Sequence, residues 1–376
     1  MTCFSIMKES DNMTIYLDNA ATTSLCNVAK QTIINHLDDF GNPSSAHEFG
    51  RQSRYLIEDA RKQIAKCINA EPEEIYFTSG GSESNTWALN NYITVASGIE
   101  HHSIKPQYTQ CTTNVMDGVV NPQQLCFINH RHPKMFEMIS CMYVNNELGT
   151  VQPIKQIAER AHGKGMLCHT DAVQAVGHIP IDVKDLGVDM LSASAHKFGG
   201  MKGVGLLFAK KGVKLNKLIN GGKQENGMRG STENVLGIIS MAAALEDAVS
   251  HMEERNKHIK KLRDKMLDQL LKIEGAHLNG SLEERVVSNI NIRFDGVSGS
   301  RLVALCSLYD ICISSGSACN EGTPEPSHVL KAIGLSDTEA LSSIRITIGH
   351  QNTEDEINQA ANIITKLVAR IREENS

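Results

Sequence analysis

None of the ten cysteines in this chain forms a Cys-x-x-Cys pair, which sets aside a zinc ribbon and a thioredoxin-like motif. Most sit in apolar contexts, as in Ile139-Ser140-Cys141-Met142 and Leu167-Cys168-His169, where a thiol behaves as a small buried hydrophobe. No apolar run is long enough to cross a bilayer. The N-terminus has no basic head followed by an apolar block, so no signal peptide is expected. The expected location is the cytoplasm, with reduced thiols. Excess basic charge is missing too: the formal net charge is −6, which argues against a nucleic-acid-binding surface. Internal repeats and low-complexity linkers are absent.

At 376 residues the chain is too long for one small core and suits one large and one smaller domain. Strand-like apolar runs alternate with amphipathic helical stretches over residues 50 to 210. Arg51 to Ala70 carries a stripe of Leu56, Ile57, Ala60, Ile64, Ala65 and Ile68 at helical spacing. Glu74 to Thr78 and Met138 to Val144 read as strands, and Pro153 to Gly163 as a helix. The alternation predicts an α/β layer with a mostly parallel sheet. From Asn234 to about Leu271 the pattern is one long helical region with a break. Val286 to Phe294 and Ile344 to Ile348 read as strands, and the capping box at Thr353-Glu354-Asp355-Glu356 opens a last helix. The expected division is a large domain over 14–244, a smaller α+β domain over 245–376, and a loose extension over 1–13. The first residues of the large domain are expected to pack with the small one.

The chemistry gathers around Ser194-Ala195-His196-Lys197, which follows the apolar run Asp189 to Ala193. A lysine directly after a buried strand is poorly placed for solvent and well placed to form a Schiff base with an aldehyde cofactor. Asp171 ends the run Gly165 to Thr170 and suits the pyridinium partner that pyridoxal phosphate requires. Ser194 and His196 are candidates for its phosphate. Gly80-Gly81-Ser82 lies between a strand and a helix start, where N–H groups and the helix dipole favour an anion; the alternative is a flexible turn. Asn145-Asn146 after a strand, and Gln174, are donors for a ring oxygen. His101 can stack on the ring and move protons. A metal shared by His101 and His102 is not expected. Arg345 in an apolar strand needs a partner, either a substrate carboxylate or an internal acid. Cys319 lies in the small, polar segment Ile313 to Gly322, a setting in which a thiol stays accessible.

Together, Tyr16-Leu17-Asp18-Asn19-Ala20-Ala21-Thr22-Thr23, Gly41-Asn42-Pro43-Ser44-Ser45, Phe77-Thr78-Ser79-Gly80, Val144 to Gly149, Asp171 to Gln174, Ser194 to Lys197 and Ser315 to Cys319 resemble the NifS/IscS-type cysteine desulfurases, class V aminotransferases that use pyridoxal phosphate. The resemblance runs from about Thr14 onward. It implies the fold-type I architecture of these transferases, with a mostly parallel seven-stranded sheet. It also implies a homodimer with active sites at the subunit interface. Lys197 would carry the cofactor, Asp171 would face the pyridine nitrogen and His101 would stack on the ring. Asn146 and Gln174 would lie near the ring oxygen. Gly81, Ser82, Ser194 and His196 would hold the phosphate, joined by Thr232 of the partner subunit. Arg345 would take the cysteine carboxylate, with Asn42 close to it. Lys197 would remove the α-proton, His101 would act as acid or base, and Cys319 would attack the substrate sulfur. A persulfide on Cys319 and free alanine would result, with sulfur passed to an iron–sulfur scaffold or a tRNA-thiolation or cofactor pathway.

Three stretches depart from the family pattern: Gly221 to Gly227 with Gly230-Ser231-Thr232, the short span from 101 to 141, and Asn320-Glu321 after Cys319. The last places a carboxylate near the thiol, which tends to raise its pKa. Two other readings stay open at this point. One is a selenocysteine lyase or another class V lyase or aminotransferase. The other is a weakly active scaffold for a sulfur acceptor.

Overall fold

The computed structural model describes residues 14–90, 92–104, 109–110, 115–125, 136–315 and 325–375. Its main sheet has seven strands: β1 (Ile75–Thr78), β2 (Tyr92–Ala96), β3 (Thr109–Gln110), β4 (Phe136–Ser140), β5 (Leu167–Asp171), β6 (Met190–Ser194) and β7 (Gly205–Ala209). Their spatial order is β1-β7-β6-β5-β4-β2-β3. Only β7 runs antiparallel to its neighbours, and the rest of the sheet is parallel. Every residue of β6 and β7 is buried, as expected for strands covered on both faces. One face packs on the helix α1 (Glu48–Cys67) and on α3 (Val235–Ser250) through Ile57, Ile64, Met241 and Leu245. The other face packs on α2 (Gly81–Leu89) through Trp87 and Leu89, with Met138, Met190 and Leu207 beneath them.

A second sheet of four antiparallel strands forms from Ala276–Leu278, Asn289–Phe294, Ser343–Thr347 and Ser314–Ser315, in that order. It carries its own core, in which Ile290, Ile292, Phe294, Ile344 and Ile346 meet α4 (Met252–Leu270) and α5 (Glu354–Asn375). The long helical region is in fact two helices, α3 and α4, bent by 70° at His251. The strand expected over Met138 to Val144 ends at Ser140. Cys141 N and Tyr143 N still donate to the His169 and Asp171 carbonyls of β5, and the chain then folds back at Asn145, whose carboxamide oxygen accepts from the Glu147 and Leu148 N–H groups. Ile15–Tyr16 pairs in parallel with Ile311–Cys312, so the start of the described chain lies against the second core. No single described helix is long and apolar enough to cross a membrane.

The divergent 221–232 loop is firmly anchored. Glu225 is buried with φ +45°, and Asn226 and Ser231 also have positive φ. Both Glu225 oxygens accept from Arg61 at 3.0 Å, one also accepts from Phe77 N at 2.9 Å, and Arg61 lies 4.5 Å above the Phe77 ring. Strained backbone of this kind persists only where its surroundings over-determine it. Replacing Glu225 with Ala removes the buried acid of the Arg61 guanidinium and leaves it the Ile75 carbonyl and the exposed Glu58 at 3.2 Å. We expect a loss of about 3–5 kcal/mol, read from the denaturant midpoint; a loss below about 1 kcal/mol would show that water or another acid replaces Glu225.

Candidate active site

Lys197 leaves the end of β6 on a single turn, Ala195–Lys197. Its Nζ donates to the carbonyls of Ala20 (2.7 Å) and Ala21 (2.8 Å). Gln174 donates to the same Ala20 oxygen at 2.8 Å. The segment bearing those carbonyls is held in turn by Thr23, whose N–H and hydroxyl both donate to the His196 carbonyl. Burial, with the positive charge of Arg345 added, pulls the Lys197 amine down to about 8. Asp171 and Asp18 act in the opposite direction. An amine so placed is partly neutral near physiological pH, the state a nucleophile or base needs.

Asp171, at the end of β5, is buried. One carboxylate oxygen accepts from Asn85 at 2.7 Å and the other from Val173 N at 3.0 Å. Among the described residues it has no cation at ion-pair distance. His101 is close enough for Asp171 and Lys197 to act on its charge, and burial holds its pKa below the ordinary value. Its Nδ1 lies 2.8 Å from Ser103 Oγ and accepts from Ser103 N. The His102 ring lies 4.7 Å from the His328 ring, tilted by 51°, and no described cluster of His, Cys, Asp and Glu forms a metal site.

The anion cradle is shaped by what cannot fit. A β-carbon on Gly81 would come within 2.5 Å of Val173, and one on Gly205 within 2.6 Å of the Gly80 backbone. Ser194 adjoins Gly80 and Gly81, so the serine at the end of β6 and the N-terminus of α2 meet as expected. Ser82 is exposed in the first turn of α2. His196 touches Thr22 Oγ1 at 3.1 Å, and burial together with the Lys197 and Lys202 charges lowers it to about 4. It is therefore a neutral hydrogen-bonding group rather than a cation.

Arg345 donates to Asp18 at 2.8 Å and to the Asn146 carbonyl at 2.9 Å, while its buried Nε–H has no partner. The internal acid weighed as one alternative is thus present, and Asp18 was not singled out for it. The side chain that shapes the turn is that of Asn145; Asn146 is half-buried and lines, with Ala20, Gln174 and Lys197, a cavity of about 400 Å³. The cavity runs on to Arg255 and His350, and Asp171, His101 and Ser82 do not line it. Two expected residues stand elsewhere within the subunit. Asn42 is exposed, accepts from Ser44 N, and has no hydrogen bond to Arg345. Thr232 is exposed on the rim of a separate hollow lined by Phe77, Ser79 and Val204. Cys319 lies outside the described residues. Sequence reasoning missed Asn85 and Ser103, although Asn85 stands only three residues after Ser82.

The model of the class-V aminotransferases matches residues 15–360. The chain belongs to that family. A cysteine desulfurase IscS of Methanosarcina thermophila is 40% identical over 382 residues, spanning 96% of this chain and 94% of its own. A solved NifS-like protein superposes with a TM-score of 0.85 at 34% identity, covering 95% of this chain and all of the other. SspA, solved in complex with cysteine, has a TM-score of 0.77 at 32% identity over 90% of this chain and all of its own. Family membership accounts for the α/β fold with its mostly parallel sheet.

Because Lys197 is the lysine drawn down by burial, its trace acetylation in the unliganded protein should rise with a midpoint near pH 8. Surface lysines should follow their ordinary value of about 10.4. Peptide mass spectrometry across pH 6 to 11 measures both, and a Lys197 midpoint near 10 would contradict the placement.

Proposed function

We propose that this chain is a cysteine desulfurase that carries pyridoxal phosphate on Lys197 and the transferred sulfur on Cys319. The observation that carries the reading is the seat of Lys197: at the end of β6 its amine donates to the Ala20 and Ala21 carbonyls, within range of the charges of buried Asp171 and Arg345. The residues fit the cofactor. Asp171 is a buried carboxylate lacking a cation, which a protonated pyridine nitrogen would provide. The cradle of Gly81, Ser82 and Ser194 has donors and no room for a β-carbon, which suits a phosphate. Neutral His196 adds a hydrogen bond there, and Asn146 and Gln174 stand by for the ring oxygen.

When bound, pyridoxal phosphate supplies an electron sink for the substrate α-carbon. The chain does the rest. Arg345 orients the amino-acid carboxylate through its unpartnered Nε–H and by exchanging Asp18 for it. Lys197 Nζ takes the α-proton. His101 moves a proton near the substrate sulfur. The Cys319 thiolate attacks that sulfur, the substrate Cβ–S bond breaks, and its electron pair passes to the substrate carbon skeleton. The balance is L-cysteine plus the Cys319 thiol giving L-alanine plus the Cys319 persulfide. A reductant or an acceptor protein, of the iron–sulfur scaffold or tRNA-thiolation kind, then removes the sulfur. The working unit in this reading is a cytoplasmic homodimer in which Thr232 of the partner subunit completes the phosphate site, with the chain divided into domains over 14–244 and 245–376. The SspA neighbour, solved in complex with cysteine, supports cysteine as the substrate.

Incubation with L-cysteine and a thiol reductant should yield sulfide and alanine in equal amounts. Cys319→Ala should lose at least about 100-fold in sulfide release while keeping the cofactor absorbance, and Lys197→Ala should lose both products. Undiminished sulfide release from Cys319→Ala would rule out the persulfide route.

A further inference from the structure

Asn85 is almost completely buried in α2, yet its carboxamide is used on one side only. Its Nδ2 donates to Asp171 at 2.7 Å and to Ser103 Oγ at 2.8 Å, while its Oδ1 is buried with no hydrogen-bond partner. The orientation is settled by chemistry: reversed, the amide oxygen would face a carboxylate that can only accept. An orphaned buried acceptor is costly, and its presence asks for a reason. Both amide hydrogens being committed, one to each neighbour, supplies it.

The chain of donors runs on in one direction. Ser103 Oγ accepts from Asn85, so its own hydrogen is free for His101 Nδ1, 2.8 Å away. The Ser103 backbone N–H, which can only donate, also points to His101 Nδ1, at 3.1 Å. A nitrogen that receives two donors carries no proton. His101 keeps solvent contact, yet partial desolvation lowers its pKa, and the neutral ring then carries its single proton on Nε2.

We propose that Asn85 is a positioning residue that ties Asp171 to His101 through Ser103 and sets His101 as the Nε2–H tautomer. His101 then begins each turnover as a proton donor. It cannot take the α-proton at Nε2 without first losing its own, which leaves that task to Lys197. The same amide fixes the Asp171 carboxylate, so the group facing the cofactor nitrogen and the group donating protons are aligned by one side chain. The inference rests on the desulfurase reading for what the proton does, and on the hydrogen-bond geometry for where it sits.

The test uses the full-length holoenzyme labelled with ring-15N histidine. Long-range proton–nitrogen correlation reports the tautomer of each ring, and the His101 signals are those lost in His101→Gln. The wild type should show protonated Nε2 and bare Nδ1. Asn85→Ala should move His101 toward a mixture of tautomers and slow alanine formation about 10- to 100-fold, with cofactor absorbance retained. Ser103→Ala should do the same to a lesser degree, because the backbone donor remains and no hydroxyl is left to accept from a protonated Nδ1. Protonated Nδ1 in the wild type, or an unchanged tautomer and rate in both variants, would overturn the proposal. A wild type with the Nε2 proton that leaves cysteine untouched would sink the desulfurase reading and keep this one.

Discussion

Residues 15–23 are bound from both sides, and the rest of the site depends on that. Ile15–Tyr16 adds to Ile311–Cys312 on the second core, and Asn19 and Ala20 bond to Thr347. The carbonyls of Ala20 and Ala21 then receive Lys197 from the first sheet. One short stretch of main chain thus sets the distance between the lysine and the strand that carries Arg345. Carbonyls suit this task because they accept the amine without adding a full charge. A carboxylate there would hold Lys197 as the ammonium and raise its pKa.

The electrostatics follow a common pattern of burial with sparse compensation. Lys197 is lowered by desolvation and by Arg345, while Asp171 partly offsets both. Two more acids lie close by. Burial raises Glu100 to about 8, and Ser97 and Met142 N hydrogen-bond to it. It raises Glu147 to about 7, where Ser327 donates to it at 2.5 Å. Glu147 also gives its carbonyl to Asn289 and Asn291, so the 145–150 turn is fastened to the second sheet and to Ser327 at once. The turn that presents Asn146 is therefore fixed by two separate parts of the chain, the strand Asn289–Phe294 and Ser327. Such fixation suits chemistry in which small displacements are expensive.

Much of this was legible in the sequence for identifiable reasons. Strands β5 and β6 are short apolar runs that end on polar residues, so Asp171 and Lys197 announce themselves at strand ends. The helical stripe of α1 has the right period, although the helix begins at Glu48 rather than Arg51. Less was legible where a role depends on partners remote in sequence. Asp18 and Arg345 are 327 residues apart, and nothing local marks them as an ion pair. Asn85 reads as one more polar residue in a serine-rich helix start until β5 brings Asp171 against it. Asn42 is a different case: its motif suggests a site residue, and within the subunit its side chain accepts from Ser44 N.

By itself the sequence determined the family, the alternation of strands and helices, and the placement of Asp171 and Lys197 at strand ends. Those features are local, written in hydrophobic period and in the residues that end each strand. Only the tertiary structure decided the 70° bend at His251, the Asp18–Arg345 pairing, the carbonyl seat of Lys197 and the run of donors from Asn85 to His101. Each depends on directions and distances between elements far apart in the chain. Hydrogen-bond polarity and desolvation are set by that arrangement, and residue identity alone does not contain them.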